Sequence, residues 1–74
     1  MDEVLRQWGR NIRAGREVLG LTQLELAEQL GVRQATLSRW ENGVMCPTDH
    51  HKRNLANALR QEGRQLFPLF GSAA

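Results

Sequence analysis

Two short runs of helical periodicity meet at a single glycine within TQLELAEQLGVRQATLSRWENG, residues 22–43, and this stretch constrains the fold more than any other. Thr22 stands where an N-cap is needed and Glu25 follows three residues on, so hydroxyl and carboxylate can each satisfy a backbone N–H that a helix start leaves unpaired. Leu21 and Leu26 are spaced as a hydrophobic staple, and Leu26, Ala27 and Leu30 make an inward stripe at helical period. Gly31 can take the left-handed conformation that ends a helix at low cost. Val32 is placed to plug the corner. Residues 34–42 then predict a second helix, with Leu37, Trp40 and Glu41 on one side and Gln34, Ala35, Ser38, Arg39 and Asn42 on the other.

The chemistry of that second side is specific. Arg matches the paired acceptors of guanine, Gln and Asn match adenine, and Ala can touch the methyl group of thymine. Two helices joined at a glycine turn, the second carrying polar side chains and no acid on its outer face, fit a helix-turn-helix whose second helix enters the major groove of DNA. The competing reading is plain: any small helical bundle needs a polar outer surface.

The motifs LTQLELAEQLGV and TLSRWENG resemble the lambda-type repressor and Cro family of helix-turn-helix proteins, also called Xre-like. In that pattern a Gln opens the first helix, Glu-Leu-Ala follows, Gly-Val makes the turn, and the second helix closes on an aromatic residue or Leu before Glu-Asn-Gly. The likeness extends to Asn11-Ile12-Arg13 with Arg16, to Leu55-Ala56-Asn57-Ala58-Leu59 and to Leu66-Phe67-Pro68, so it spans nearly the whole chain. It implies an all-α fold, a lambda-repressor-like bundle of about five short helices with the helix-turn-helix at its centre. It also implies that Gln34, Ala35, Ser38 and Arg39 face base edges, that Gln23 and Asn42 touch the DNA backbone, and that Arg16 lies against Glu41 as a structural ion pair tying the first helix to the recognition helix. Sequence alone offers only two opposite charges far apart in the chain for that pair.

Composition agrees. At 74 residues the chain makes one domain, and a domain this small buries only about 60% of its unfolded surface, so its core is marginal. The net charge of +2 argues little, but nine of the ten basic residues are Arg, the cation suited to bidentate contact with phosphate and guanine. No run is apolar enough to cross a membrane and the N-terminus lacks a signal-peptide pattern, so a cytoplasmic location is expected, in a bacterium or in a phage-infected host. The lone Cys46 cannot form an internal disulfide. Cys46, His50 and His51 invite a metal reading, yet Pro47 breaks the register and adjacent histidines on a helix diverge by about 100°. No metal, cofactor or small-molecule ligand is expected, and the histidines are read as solvated residues near a helix start.

In chain order, residues 2–19 predict a first helix with Asp2 and Glu3 at its positive end and with Val4, Trp8 and Ile12 facing the motif. Arg6, Arg10 and Arg13 form another stripe, either a solvated charged face or a row that reaches phosphates, with Arg13 the candidate backbone contact. Thr48 and Asp49 can start a fourth helix running to about Arg60, with Leu55, Ala58 and Leu59 inward. Lys52 occupies a position that is usually apolar in the family, which predicts a loosely packed or tilted helix start. Gly63 interrupts, residues 64–67 make a last helical turn before Pro68, and the domain is placed at residues 1–70 with a flexible tail at residues 71–74. Another departure is Arg33, which stands where the family often has a Ser cap. It gives up the capping hydrogen bond and places a guanidinium at the mouth of the groove, as a backbone contact or an outer base contact.

These features predict a sequence-specific regulator that binds a double-stranded DNA operator through the major groove, a Cro-like repressor of phage, prophage or plasmid type. The rival class is an antitoxin or protein-interaction adaptor on the same fold. An enzyme is not expected, because no nucleophile with a base partner and no glycine-rich phosphate loop is present. Leu66, Phe67, Leu69 and Phe70 place four large apolar side chains around Pro68, either as contacts of a homodimer, formed in solution or on DNA, or as a lid on the core.

Overall fold

A computed structural model describes residues 2–68 of the chain. The first helix, α1 (Glu3–Val18), starts at Asp2, whose carboxylate accepts the backbone N–H groups of Val4 and Leu5 at 2.9 and 3.4 Å. Asp2 and Leu19, expected inside this helix, are its caps. The second, α2 (Gln23–Leu30), opens with the full capping box: Thr22 Oγ1 accepts the Glu25 N–H at 3.1 Å and Glu25 Oε1 accepts the Thr22 N–H at 2.8 Å. Those bonds hold the Glu25 carboxyl below its usual pKa. Gly31 ends α2 at φ 69°, and the Val32 N–H returns to the Ala27 carbonyl at 3.0 Å, so the chain turns sharply into α3 (Gln34–Glu41). Thr48 caps α4 (Asp49–Leu59) by accepting the His51 N–H at 3.3 Å, and a single turn, α5 (Gly63–Leu66), closes the described chain.

The helix α1 packs on α3, α4 and α5, while α2 packs on α3 and α4. Between them lie Ile12, Leu26, Leu37, Leu55, Leu66 and Phe67, each fully buried, with Trp8, Trp40 and Leu59 beside them. This is the expected all-α bundle of five helices, and the described residues contain no strand. None of the described helices is long and apolar enough to cross a membrane.

Two expectations change here. Leu66 and Phe67, weighed as dimer contacts, are both at 0% exposure within the core, so they offer no surface to a partner; Leu69 and Phe70 lie outside the described residues, as does the expected tail. Phe67 meets Trp8 edge to face at 5.5 Å, and α1 holds this end of the chain through Trp8 Nε1 donating to the Pro68 carbonyl at 2.8 Å and Asn11 Nδ2 donating to the Leu66 carbonyl at 2.9 Å. Lys52 does not loosen α4. Its stem is buried and its ammonium sits 4.5 Å from the Trp8 ring centroid and 5.9 Å from that of Phe67, so aromatic faces receive the charge where an apolar side chain was expected.

Candidate nucleic-acid interface

The orientation of α3 follows from which of its side chains the core takes. Leu37 and Trp40 are buried at 0% and 2% exposure, which turns Gln34, Ala35, Arg39 and Asn42 to the exterior and leaves Ser38 half-buried. Asn42 Nδ2 donates to Ser38 Oγ at 3.4 Å, so the end of this face is tied together. The helix has one acid, Glu41, and its side chain is fully buried. The outer face therefore presents amide, hydroxyl, methyl and guanidinium groups with no carboxylate to repel a phosphate.

Glu41 is the point where three helices meet. Arg16 of α1 grips its carboxylate with two bonds, Nε to Oε2 at 2.7 Å and Nη2 to Oε1 at 3.1 Å, and donates from Nη1 to the Leu21 carbonyl at 2.9 Å. The bond to Glu41 raises the Arg16 pKa above its already high value, against the opposing effect of burial, so the guanidinium stays charged. Gln23 of α2 adds a third donor, Nε2 to Oε1 at 3.1 Å, and its own Oε1 accepts from Gln34 Nε2 at 3.4 Å. A chain of contacts thus runs from the buried carboxylate through Gln23 to the first residue of α3. Arg13 stands at 3.6 Å from Glu41 Oε1 with its side chain 56% exposed. Arg33 is the exposed N-cap of α3 and makes no capping bond.

Some of this was not foreseen. Gly9 is buried where α1 crosses the end of α3, and a Cβ there would fall on the Glu41 carbonyl and lie 2.7 Å from that of Trp40. The signal existed in the sequence, since a glycine inside a helix costs about 1 kcal/mol against alanine and calls for a packing reason. Gln23, expected to touch only the DNA backbone, also positions Gln34. His51 is not a solvated residue: its ring packs on Trp40 at 5.0 Å, with Nδ1 buried and unpartnered, while His50 stays exposed and pairs with Asn54 at 3.2 Å. No group of three or more His, Cys, Asp or Glu among the described residues is placed to hold a metal ion.

A glycine-turned helix pair, with its second helix anchored inward and polar outward, defines a DNA-binding protein of the helix-turn-helix class. The helix-turn-helix family model matches residues 12–64, and the chain belongs to that lambda-repressor-like (Xre-like) family of DNA-binding transcriptional regulators. Among solved structures the chain is similar to the restriction-modification controller protein C.AhdI from Aeromonas hydrophila, with 32% identity, a TM-score of 0.80, and coverage of 85% of this chain and 96% of that one. No match was found among curated proteins.

Proposed function

We propose that the chain is a cytoplasmic, sequence-specific repressor of Cro-like or controller type that places α3 in the major groove of its operator and acts by occupying it. The observation that carries this reading is the outer face of α3, where Gln34, Ala35 and Arg39 stand outward beside a half-buried Ser38 while the helix's one acid is buried. Arg39 and Gln34 read base edges, and Gln23, Arg33, Arg13 and Asn42 meet phosphates. Because phosphate contacts position the protein and base contacts specify the site, the two groups separate by experiment. A DNA sequence is first selected from a random duplex pool. Arg39→Ala then costs roughly 1–3 kcal/mol on the selected site and much less on random duplex. An equal loss on both removes Arg39 from the base readers. A wild-type protein whose binding does not weaken as salt rises is not a DNA-binding regulator at all.

The functional unit in this proposal is a homodimer on DNA. One recognition helix covers only a few base pairs, so a single small domain has limited power to single out one operator. With Leu66 and Phe67 spent on the core, the apolar contact between copies at this end is assigned to Leu69 and Phe70.

A further inference from the structure

On α1, Arg6, Gly9, Arg13 and Arg16 are spaced by three, four and three residues, which brings them to one side of the helix. Gly9 marks where that side crosses the end of α3. Gly43, the residue after α3's cap, marks its continuation: a Cβ there would lie 2.8 Å from Arg6 Cα and 2.8 Å from Arg6 Cγ, so Arg6 rests directly on the turn that ends the recognition helix. Three guanidinium-bearing residues therefore line the C-terminal end of α3.

The carboxylate in contact with them there is Glu41, beside the partial charge of a helix C-terminus, about −0.5, while Glu17 acts on Arg16 from α1 itself. Arg16 consumes the carboxylate in its two-bond grip. Arg13 keeps a longer approach of 3.6 Å while remaining 56% exposed. Arg6 is exposed, and its guanidinium pairs with no carboxylate among the described residues. Arg10 differs in its partners: although it shares the stripe with Arg6 and Arg13, it donates to Gln7 at 2.9 Å and pairs with Glu3 at 3.5 Å. The close ion pair at this end is thus taken up by Arg16, and the positive charge outside that pair sits on Arg6 and Arg13.

Seven residues of helix separate those two by about 10.5 Å along the axis. That is more than one phosphate step of a DNA strand, so the two side chains would meet different phosphates. We propose that Arg6 and Arg13 form a two-point grip on the phosphates of one strand beside the C-terminal end of α3, with the Arg16–Glu41 pair as its rigid base and with Arg10 outside it. The grip rests on the reading of α3 as the helix that enters the groove. It extends the DNA contact to the beginning of α1, more than a helical turn before Arg13.

Fluorescence anisotropy on a selected duplex and a random duplex, over a salt series, tests the grip with Arg6→Gln, Arg13→Gln, Arg10→Gln and Arg6→Lys, each checked by its melting temperature. Arg6→Gln and Arg13→Gln each weaken both duplexes alike, by about fivefold near 0.15 M salt, and each flattens the slope of log K against log salt by about one. Arg10→Gln matches wild type, and Arg6→Lys keeps the wild-type slope. Wild-type slope and affinity in Arg6→Gln, or an equal loss in Arg10→Gln, overturns the grip. If Arg6→Gln also lowers the melting temperature, Arg6→Lys decides: a restored slope supports the grip and an unrestored one overturns it. Wild-type protein that binds neither duplex in a salt-dependent way overturns the functional reading itself, whereas a failed grip on a protein that binds leaves that reading standing.

Discussion

Glu41 occupies the last turn of α3, where the partial negative charge of the helix end disfavours a carboxylate. It is held there by donors from two other helices, Arg16 and Gln23, with the Arg16 and Glu41 side chains only 11% and 0% exposed. Removing one member of such a pair strands the other in a site sealed from water, at a cost of up to about 3–5 kcal/mol, whereas removing both relieves part of the loss. A double-mutant cycle of Arg16→Ala and Glu41→Ala, followed by urea unfolding, should therefore give a coupling energy well above 1 kcal/mol. A coupling near zero would make them two independent charges and leave the orientation of α3 to packing alone. Nothing local in the sequence announces this pair. Its members stand in different helices, and only likeness to a known pattern of residues suggested that they meet.

At the scale of the element, α3 is a helix of eight residues without a side-chain cap, since Arg33 holds the N-cap backbone conformation but makes no capping bond. A serine in its place could satisfy an unpaired N–H and stabilise the domain by about 1 kcal/mol. If Arg33 also meets phosphate, the same change weakens DNA binding. Arg33→Ser is thus expected to raise the melting temperature and lower affinity together, and a variant that gains stability with affinity intact would show Arg33 to be no part of the interface. The crossing of α1 over α3 gives the opposite case. Gly9→Ala improves helix propensity by about 1 kcal/mol, yet its methyl collides with backbone carbonyls that cannot rotate away as a side chain would. Overpacking of this kind costs about 1–3 kcal/mol, so a net loss of stability is expected by thermal melting, with a loss of DNA affinity as α3 is pushed from its seat. An unchanged or higher melting temperature would mean that the two helices part without consequence for the fold.

For the whole molecule the proposal of a dimer on DNA carries a geometric consequence. Two-fold pairing puts the recognition helices about one turn of DNA apart, so selected sites should be inverted repeats with half-site centres roughly 34 Å apart. Sedimentation of the protein with such a site, compared with a chain truncated after Pro68, should show two copies per site for the full chain and weakened pairing for the shorter one. One copy per site, or unchanged binding after truncation, would assign the whole apolar cluster to the protomer. What the sequence determined by itself is local: the capping box at Thr22 and Glu25, the left-handed stop at Gly31, the period that sends Leu37 and Trp40 inward and Gln34, Ala35 and Arg39 outward, and the fourth helix begun at Thr48. Each depends on residues within about a turn of one another, where spacing alone fixes which groups meet. The tertiary structure alone decided that Arg16, Gln23 and Gln34 connect around Glu41, that Gly9 lets α1 approach α3, that Lys52 ends over Trp8, and that Leu66 and Phe67 fill the core. Those contacts join residues far apart in the chain, and they are set by how five amphipathic helices share one small core, a property of the summed packing that no single stretch contains.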